Sequence, residues 1–340
     1  MKLSLAIVGM PNVGKSTLFK ILTNQDITIA NYPFATIDPN VGVVAVPDER
    51  LTKLTHLSDS KKTIPAVVEF YDIAGLVKGA NQGEGLGNQF LSHIRECQAI
   101  VVVLRVFPDP DILHVENSVD PPRDMDIINT ELVLKDLETV EKRLKKAEGE
   151  AHTGDKKAIE IRDALLTVKR WLEAGEMLFS KSKLESYSNV LENIGIRELQ
   201  LLTAKKQLYL LNGNESDAAG DVTEKIKALS ADYLVMDLKS ATDIAPLIRK
   251  GYEILDLISF FTTGEDETRA WTIARGMKAP QASGVIHTDF EKKFIRAEVI
   301  GTDKLLEVGG WSKAKQKGQL RLEGKEYVMQ DGDVIEVRHG

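Results

Sequence analysis

The sequence predicts an α/β fold: a doubly wound sheet carrying a phosphate-binding loop, an inserted antiparallel α-helical arm, and a small mixed domain at the end of the chain. Three observations predict it. Residues 9–17 read Gly9-Met-Pro-Asn-Val-Gly14-Lys15-Ser16-Thr17, between an apolar run and a helix-like stretch. Strand-like and helix-like segments alternate up to about Val106. From about Asp126 that alternation gives way to heptad-like spacing of apolar residues.

The first element is Leu3 to Val8. A short apolar start resembles a signal peptide, but the run breaks at Gly9 and leads straight into the glycine loop, so it reads as the first strand. The loop is G-x-x-x-x-G-K-[ST] in a strand–loop–helix setting, which names a nucleoside triphosphate with Mg²⁺ as ligand. Its glycines let the backbone of Asn12, Val13, Gly14, Lys15, Ser16 and Thr17 turn N–H groups toward one anion, and the following helix adds its positive end. Lys15 reaches the β and γ phosphates, for binding and for catalysis, and the Ser16 hydroxyl ligates Mg²⁺. Further strands are expected at Val41–Val46, Val67–Tyr71 and Ala99–Val106. The last is almost continuously apolar, as a strand covered on both faces should be, which argues for a parallel sheet with helices on both sides.

The arm follows from Leu134, Leu137, Val140, Leu144 and Ala147, a turn over Gly149–Asp155, and Ile161, Leu165, Val168 and Leu172. These spacings predict two antiparallel helices. Lys142–Lys146, Lys156, Lys157, Lys169 and Arg170 decorate them, as a solvated face or as a contact surface for RNA or protein. Alternation resumes with a strand at Gln207–Leu211, a helix at Val222–Leu229, a strand at Tyr233–Met236 and a helix over Ile244–Leu257. The end of the chain offers short strands at Ser259–Thr263, Ala270–Ile273, Phe294–Ile300 and Val334–Val337, with an Asp331-Gly332 turn and a basic cluster of Lys313, Lys315, Lys317 and Arg321. The expected division is 1–125 with 201–256 for nucleotide binding, 126–200 for the arm, and 257–340 for the last domain.

Composition fits this reading. A chain of 340 residues calls for more than one domain, and 43% hydrophobic with 28% charged residues is ordinary for a soluble globular protein. A net charge of −7 argues against a protein that coats nucleic acid or reads DNA sequence. The single Cys97 excludes an intramolecular disulfide framework and fits a reducing compartment. No apolar run approaches the ~18 residues of a membrane span, so a cytoplasmic protein is expected, and a monomer.

Two further motifs turn a triphosphate site into a switch. Val68-Glu-Phe-Tyr-Asp72-Ile-Ala-Gly75 is a strand ending in D-x-x-G. Asp72 holds Mg²⁺ through water, and Gly75 brings its N–H to the γ-phosphate. Between this motif and the loop lies Asn31-Tyr-Pro-Phe-Ala-Thr36, whose threonine is the candidate to complete the metal shell. Leu76 stands where Ras-like enzymes place the glutamine that orients water, so that role must move elsewhere or hydrolysis is slow. After the strand Gln207–Leu211, Asn212-Gly213-Asn214-Glu215 replaces N-K-x-D, which weakens guanine selection.

These stretches, with Gly83-Glu-Gly-Leu-Gly87, Asn129-Thr-Glu-Leu132, Ala270-Trp-Thr-Ile273 and His287-Thr-Asp-Phe-Glu-Lys-Lys-Phe-Ile-Arg296, resemble the Obg family of translation-related GTPases and, within it, the YchF-type Obg-like ATPases. The resemblance covers essentially the whole chain. It implies that the last domain is a β-grasp (TGS) module and that ATP is the preferred nucleotide. It implies base contacts from Asn212, Gly213 and Glu215, with Asn212 at the adenine edge. It implies a water-positioning His114 in Ile112-Leu-His114-Val115, a K⁺ ligand at Asn12, and a ribosome or RNA as partner. The family's fifth motif is not distinct; Asp237-Leu-Lys239 and Ser240-Ala241 are the candidates. The expected protein is a slow ATPase switch; the alternatives are a GTPase of the same family, or an RNA- or ribosome-binding module with nucleotide as a structural ligand.

Overall fold

A computed structural model describes residues 3–23, 40–72, 93–109, 118–182, 184–218 and 220–340. The first sheet contains β1 (Leu3–Gly9), β2 (Val41–Ala45), β4 (Val67–Asp72), β5 (Ala99–Arg105), β6 (Lys206–Asn212) and β7 (Asp232–Met236), in the order β2-β4-β1-β5-β6-β7. Every neighbouring pair is parallel except β2, which runs antiparallel to β4 with Val41 opposite Tyr71 and Ala45 opposite Val67. The all-parallel expectation is corrected there: a reversed edge strand needs only a short return to its neighbour. Every residue of β5 is buried, as its unbroken apolar run requires. Helices α1 (Lys15–Thr23), α7 (Gly220–Ala228) and α8 (Ala245–Ile254) bury Leu18, Leu22, Val222, Ile226, Leu247 and Ile248 against this sheet.

The arm is α3 (Pro121–Ala151) packed on α4 (Lys156–Glu173). Asp120 caps α3 by accepting from the Arg123 N–H, with two prolines in the first turn, where no N–H is needed. Helix α3 continues through Gly149 to Ala151, past the expected turn, and Asp155 caps the return by accepting from the Ala158 N–H. Val140, Leu144, Ala147, Leu165, Val168 and Leu172 form the buried seam. The root of α3 is fastened at Asp136, fully buried. Its carboxylate accepts from Leu202 N (3.0 Å), Thr203 N (2.7 Å) and Thr203 Oγ1 (2.8 Å), and Arg95 lies 3.4 Å away. These partners precede β5 and β6, so the root sits at the amino edge of the sheet. Two short helices, α5 (Glu185–Leu191) and α6 (Ile194–Arg197), lie against α4.

The second sheet runs β11-β10-β12-β8-β9-β3. It contains β8 (Leu257–Thr263), β9 (Thr268–Ala274), β10 (Phe294–Gly301), β11 (Arg321–Glu323) and β12 (Asp333–His339), with β12 parallel to β8 in the middle. Helices α9 (Ala279–Ile286), α10 (Thr288–Lys292), α11 (Thr302–Val308) and α12 (Trp311–Gln316) pack around it. Its last strand comes from far away in sequence: β3 (Thr63–Ile64) pairs in parallel with β9, Thr63 opposite Thr268. The preceding helix, α2 (Glu49–Ser58), buries Leu51 and Leu54 with Phe261, Ala270, Ile300, Leu305 and Val334. Residues 48–64, which the sequence division groups with the nucleotide domain, are thus built into the second sheet. A two-residue strand gains stability only from an edge already formed, and β9 supplies it. Among the described residues, no helix is long and apolar enough to cross a membrane.

Candidate functional site

The carboxyl edge of the first sheet gathers three loops. Gly9 ends β1 where a Cβ would stand 2.6 Å from the Val103 carbonyl oxygen. Asn12 adopts φ 61° and Gly14 φ 109°, which makes the chain curl before α1. A Cβ on Gly14 would lie 2.4 Å from Asn212 Nδ2 and 3.1 Å from Leu238 Cδ1, so only glycine fits. The Leu18 N–H closes the first helical bond on the Gly14 carbonyl at 2.9 Å. The N–H groups of Lys15, Ser16 and Thr17 belong to the first turn and have no acceptor within the helix. Val13 is buried; Ser16 and Thr17 are exposed.

Lys15 arches back over the loop, donating to the Gly9 carbonyl (2.9 Å) and the Met10 carbonyl (2.7 Å). Burial lowers its pKa from the ordinary lysine value, and the charge of Asp72 opposes this. Asp72 ends β4, its N–H held by the Asn40 carbonyl at 2.9 Å. Burial raises its carboxyl pKa, and Lys15 opposes that shift. Asp72 Oδ1 is buried without a hydrogen-bond partner among the described residues. A buried acceptor left open beside a lysine is what a metal-bound water would satisfy. Among the described residues no three His, Cys, Asp or Glu gather as a metal cage. A Mg²⁺ site with few protein ligands does not need one, because phosphate and water supply the rest.

Asn212 is placed differently from the expected base reader. It is 5% exposed; its Nδ2 donates to the Val13 carbonyl at 2.8 Å and its Oδ1 accepts from the Leu238 N–H at 3.1 Å. The amide is a brace joining the ends of β6 and β7 to the phosphate loop. Gly213 follows at φ 154°, where a Cβ would stand 2.6 Å from Val106 Cγ2, and Phe107 Cδ1 lies at contact distance, 3.5 Å. Asn214 closes a reciprocal turn with Asp217, and Glu215 faces solvent. The two candidates for the fifth motif form one turn: Asp237 accepts from Lys239 N (3.0 Å) and Ser240 Oγ (2.7 Å), and Leu238 packs toward Gly14. Phe107 is an apolar residue of this edge that sequence reasoning passed over; its only signal was position just after a strand, whereas Leu238 falls within the Asp237-Leu-Lys239 candidate. Buried Arg105 holds the exit of β5, donating to the carbonyls of Phe107 and Asp109 at 3.0 Å each. The candidates Thr36, Gly75 and His114, with Leu76, lie outside the described residues.

Away from this edge, the basic clusters divide. Lys313, Lys315 and Lys317 are exposed, and so is Arg321, whose guanidinium is held by Tyr327 (2.7 Å) and Asp333 (3.3 Å). On the arm, Lys169 pairs with Glu141 (2.9 Å) and Arg143 with Glu150 (3.0 Å), so those cations are balanced within it.

Comparison with known proteins agrees with this architecture. A family profile described as a 50S ribosome-binding GTPase matches residues 4–169. A second, for the C-terminal region of YchF-type GTPases and described as a protein of unknown function, matches residues 257–340. The chain is 45% identical to the ribosome-binding ATPase YchF of Bacillus subtilis, covering 99% of both chains. It is 41% identical to Obg-like ATPase 1 of Rattus norvegicus, covering 98% of this chain and 91% of that one. The solved structure of the Schizosaccharomyces pombe YchF GTPase superposes with a TM-score of 0.80 at 38% identity, covering 99% of this chain and 98% of that one. The chain belongs to the YchF family, the Obg-like branch of the P-loop nucleotide hydrolases.

Proposed function

We propose that this protein binds ATP with Mg²⁺ at the carboxyl edge of the first sheet, hydrolyses it slowly to ADP and phosphate, and works as a nucleotide-dependent switch on the ribosome. The observation that carries the reading is Lys15 folded back over the phosphate loop onto the Gly9 and Met10 carbonyls, with Asp72 Oδ1 at the end of β4 buried and without a partner among the described residues. On binding, Lys15 exchanges two carbonyl acceptors for phosphate oxygens, and the N–H groups from Asn12 to Thr17 take the remaining phosphate charge. Ser16 and Thr36 would hold Mg²⁺, with Asp72 acting through water, and the ion would supply charge neutralisation to the triphosphate. Gly75 senses the γ-phosphate, His114 positions water in place of the missing glutamine, and the Asn12 side chain is the K⁺ ligand. Asn212 holds the base pocket in shape. The base itself meets Gly213, Phe107 and the 237–240 turn, while exposed Glu215 provides no N-K-x-D-type carboxylate clamp on guanine. The Bacillus relative, named a ribosome-binding ATPase, supports the nucleotide and the partner, and the rat relative, named an Obg-like ATPase, supports the nucleotide. A cytoplasmic site of action follows from that partner.

A guanine-specific enzyme is the second reading, favoured by the GTPase profile that matches residues 4–169 and by the yeast relative, which is named a GTPase. Competition between ATP and GTP for the full chain decides between them. ATP should bind more tightly; GTP binding more than about tenfold tighter, about 1.4 kcal/mol, rejects the ATP reading. His114→Ala should slow turnover with ATP affinity unchanged, and unaltered turnover rejects the histidine.

A further inference from the structure

The chain between β2 and β4 is the unusual feature of this molecule. Its two strands form an antiparallel pair inside the first sheet, yet α2 and β3, which lie between them, are built into the second. At one end of the pair stands the site: Asp72, with its open Oδ1 and its N–H on the Asn40 carbonyl. Strand β4 also pairs with β1, whose last residue opens the phosphate loop. A six-residue strand spans about 20 Å, so β4 runs from the site edge to the opposite edge as one hydrogen-bonded rod.

At that opposite edge, the Val46 N–H closes the pair on the Ala66 carbonyl, and the chain enters the second sheet. The attachment there is dense. The Lys61 N–H donates to the Glu265 carbonyl and the Thr268 N–H to the Lys62 carbonyl, each at 2.9 Å. Ser60 Oγ donates to the Gly264 carbonyl at 2.6 Å, and Thr263 Oγ1 meets Ser58 Oγ at 2.8 Å. Arg50 is the joint. Its guanidinium takes Asp48, the cap of α2, through Nε (3.0 Å) and Nη2 (2.8 Å), and takes Asp331 through Nη1 (2.8 Å), while lying 5.1 Å over the Phe261 ring. Asp331 in turn accepts from the Ser259 N–H at 2.9 Å, and the neighbouring Gly332 carbonyl accepts from the Thr302 N–H at 2.9 Å. One planar fork therefore ties the start of α2 to the turn that leads from β11 into β12. A lysine could not reproduce that geometry.

We propose that the second sheet is a mechanical reporter of the nucleotide site, coupled to it by the β2–α2–β3–β4 excursion with Arg50 and Asp331 as the joint. The inference rests on the reading of the site as a nucleotide switch and assigns its output. Occupation of the open Asp72 edge biases the position of β4; β2 moves with it, and α2 and β3 carry the displacement into β8, β9 and β12. Coupling of this kind is reciprocal, so whatever binds the second sheet alters the preference of the site for one nucleotide over another by the same factor.

Hydrogen exchange on the full chain, with nucleotide binding followed in parallel by calorimetry, tests this. Exchange at the amides of Ser259, Lys61, Thr268 and Thr302 should differ by about fivefold or more between a Mg²⁺-bound non-hydrolysable ATP analogue and MgADP, while the amides of α9 do not differ. In Arg50→Lys, and separately in Asp331→Asn, both nucleotides should still bind and the difference should collapse below about twofold. Both nucleotides bound with identical exchange at the four amides overturns the coupling and leaves the site reading intact. A difference that persists undiminished in both variants overturns the assignment of the joint. If neither nucleotide binds, the site reading itself fails and the coupling falls with it.

Discussion

At the scale of single residues, Asn212 shows how a local motif can conceal a distant contact. The position after β6 was legible because N-x-x-E follows an apolar strand, a local pattern. The bond from Asn212 to Val13, 199 residues away in the chain, was not local and left no trace in the spacing. Asn212→Ala would strand two buried backbone groups, the Val13 carbonyl and the Leu238 N–H. The expected loss is about 1–3 kcal/mol of stability, read by denaturant unfolding, together with weaker nucleotide binding. A variant that loses affinity at unchanged stability would return Asn212 to base reading. Asp331 carries a second expectation. Burial alone would raise its carboxyl pKa, but Arg50 and the Ser259 N–H outweigh burial and set it below the ordinary aspartate value. A carboxyl lowered in the folded state contributes stability that is complete above its unfolded pKa of about 3.9 and is lost as pH falls through the folded value. Melting temperature measured from pH 6 down to about 2 should therefore fall more steeply in the native chain than in Asp331→Asn. Parallel curves would remove Asp331 from the acid response.

At the scale of elements, the arm and α2 contrast. The arm was readable because two long helices repeat an apolar seam every three or four residues. Leu51 and Leu54 of α2 follow the same rule over only ten residues, and β3 has two, too short for either period to register. What the seam could not reveal is the root of the arm. Asp136 breaks the apolar pattern of α3 at a fully buried position, and its reason is the set of donors from residues 202–203. Asp136→Ala leaves the donors of Leu202 and Thr203 without their acceptor in the interior, a loss of about 3–5 kcal/mol, while Arg95 keeps the Leu199 and Gln200 carbonyls and Thr139. Urea unfolding should show it, and the near-ultraviolet signal of Trp171, stacked on Tyr187 at 3.9 Å beside the arm, reports whether the root has loosened. A change below about 1 kcal/mol would mean that the hydrogen bonds at the root are replaced by water at little cost.

At the scale of the whole molecule, the two edges of the first sheet divide the labour. The phosphate loop, Asp72 and Asn212 stand at the carboxyl edge. The root of the arm stands at the amino edge, and so does the entry to the second sheet, where Lys206 at the start of β6 holds the Ile254 carbonyl at 2.6 Å. Any signal from nucleotide to either appendage must cross the height of the sheet. The second sheet is also not self-sufficient. A sequence unit begins at Leu257, yet the core of that sheet includes Leu51 and Leu54, 5% and 0% exposed. Burying two leucines contributes about 3–6 kcal/mol. A unit the size of residues 257–340 has a total stability of only about 4–12 kcal/mol. Removing residues 46–66 therefore takes away a large share of what holds it, and uncovers Phe261, Ala270, Ile300 and Val334. The fragment 257–340 alone should give poorly dispersed amide spectra and no cooperative melt, and supplying 46–66 as a peptide or a fused segment should restore both. A cooperative melt from the fragment alone would show that α2 and β3 lean on a sheet that stands without them. The excursion between β2 and β4 would then be an attachment to the second sheet and no part of its fold.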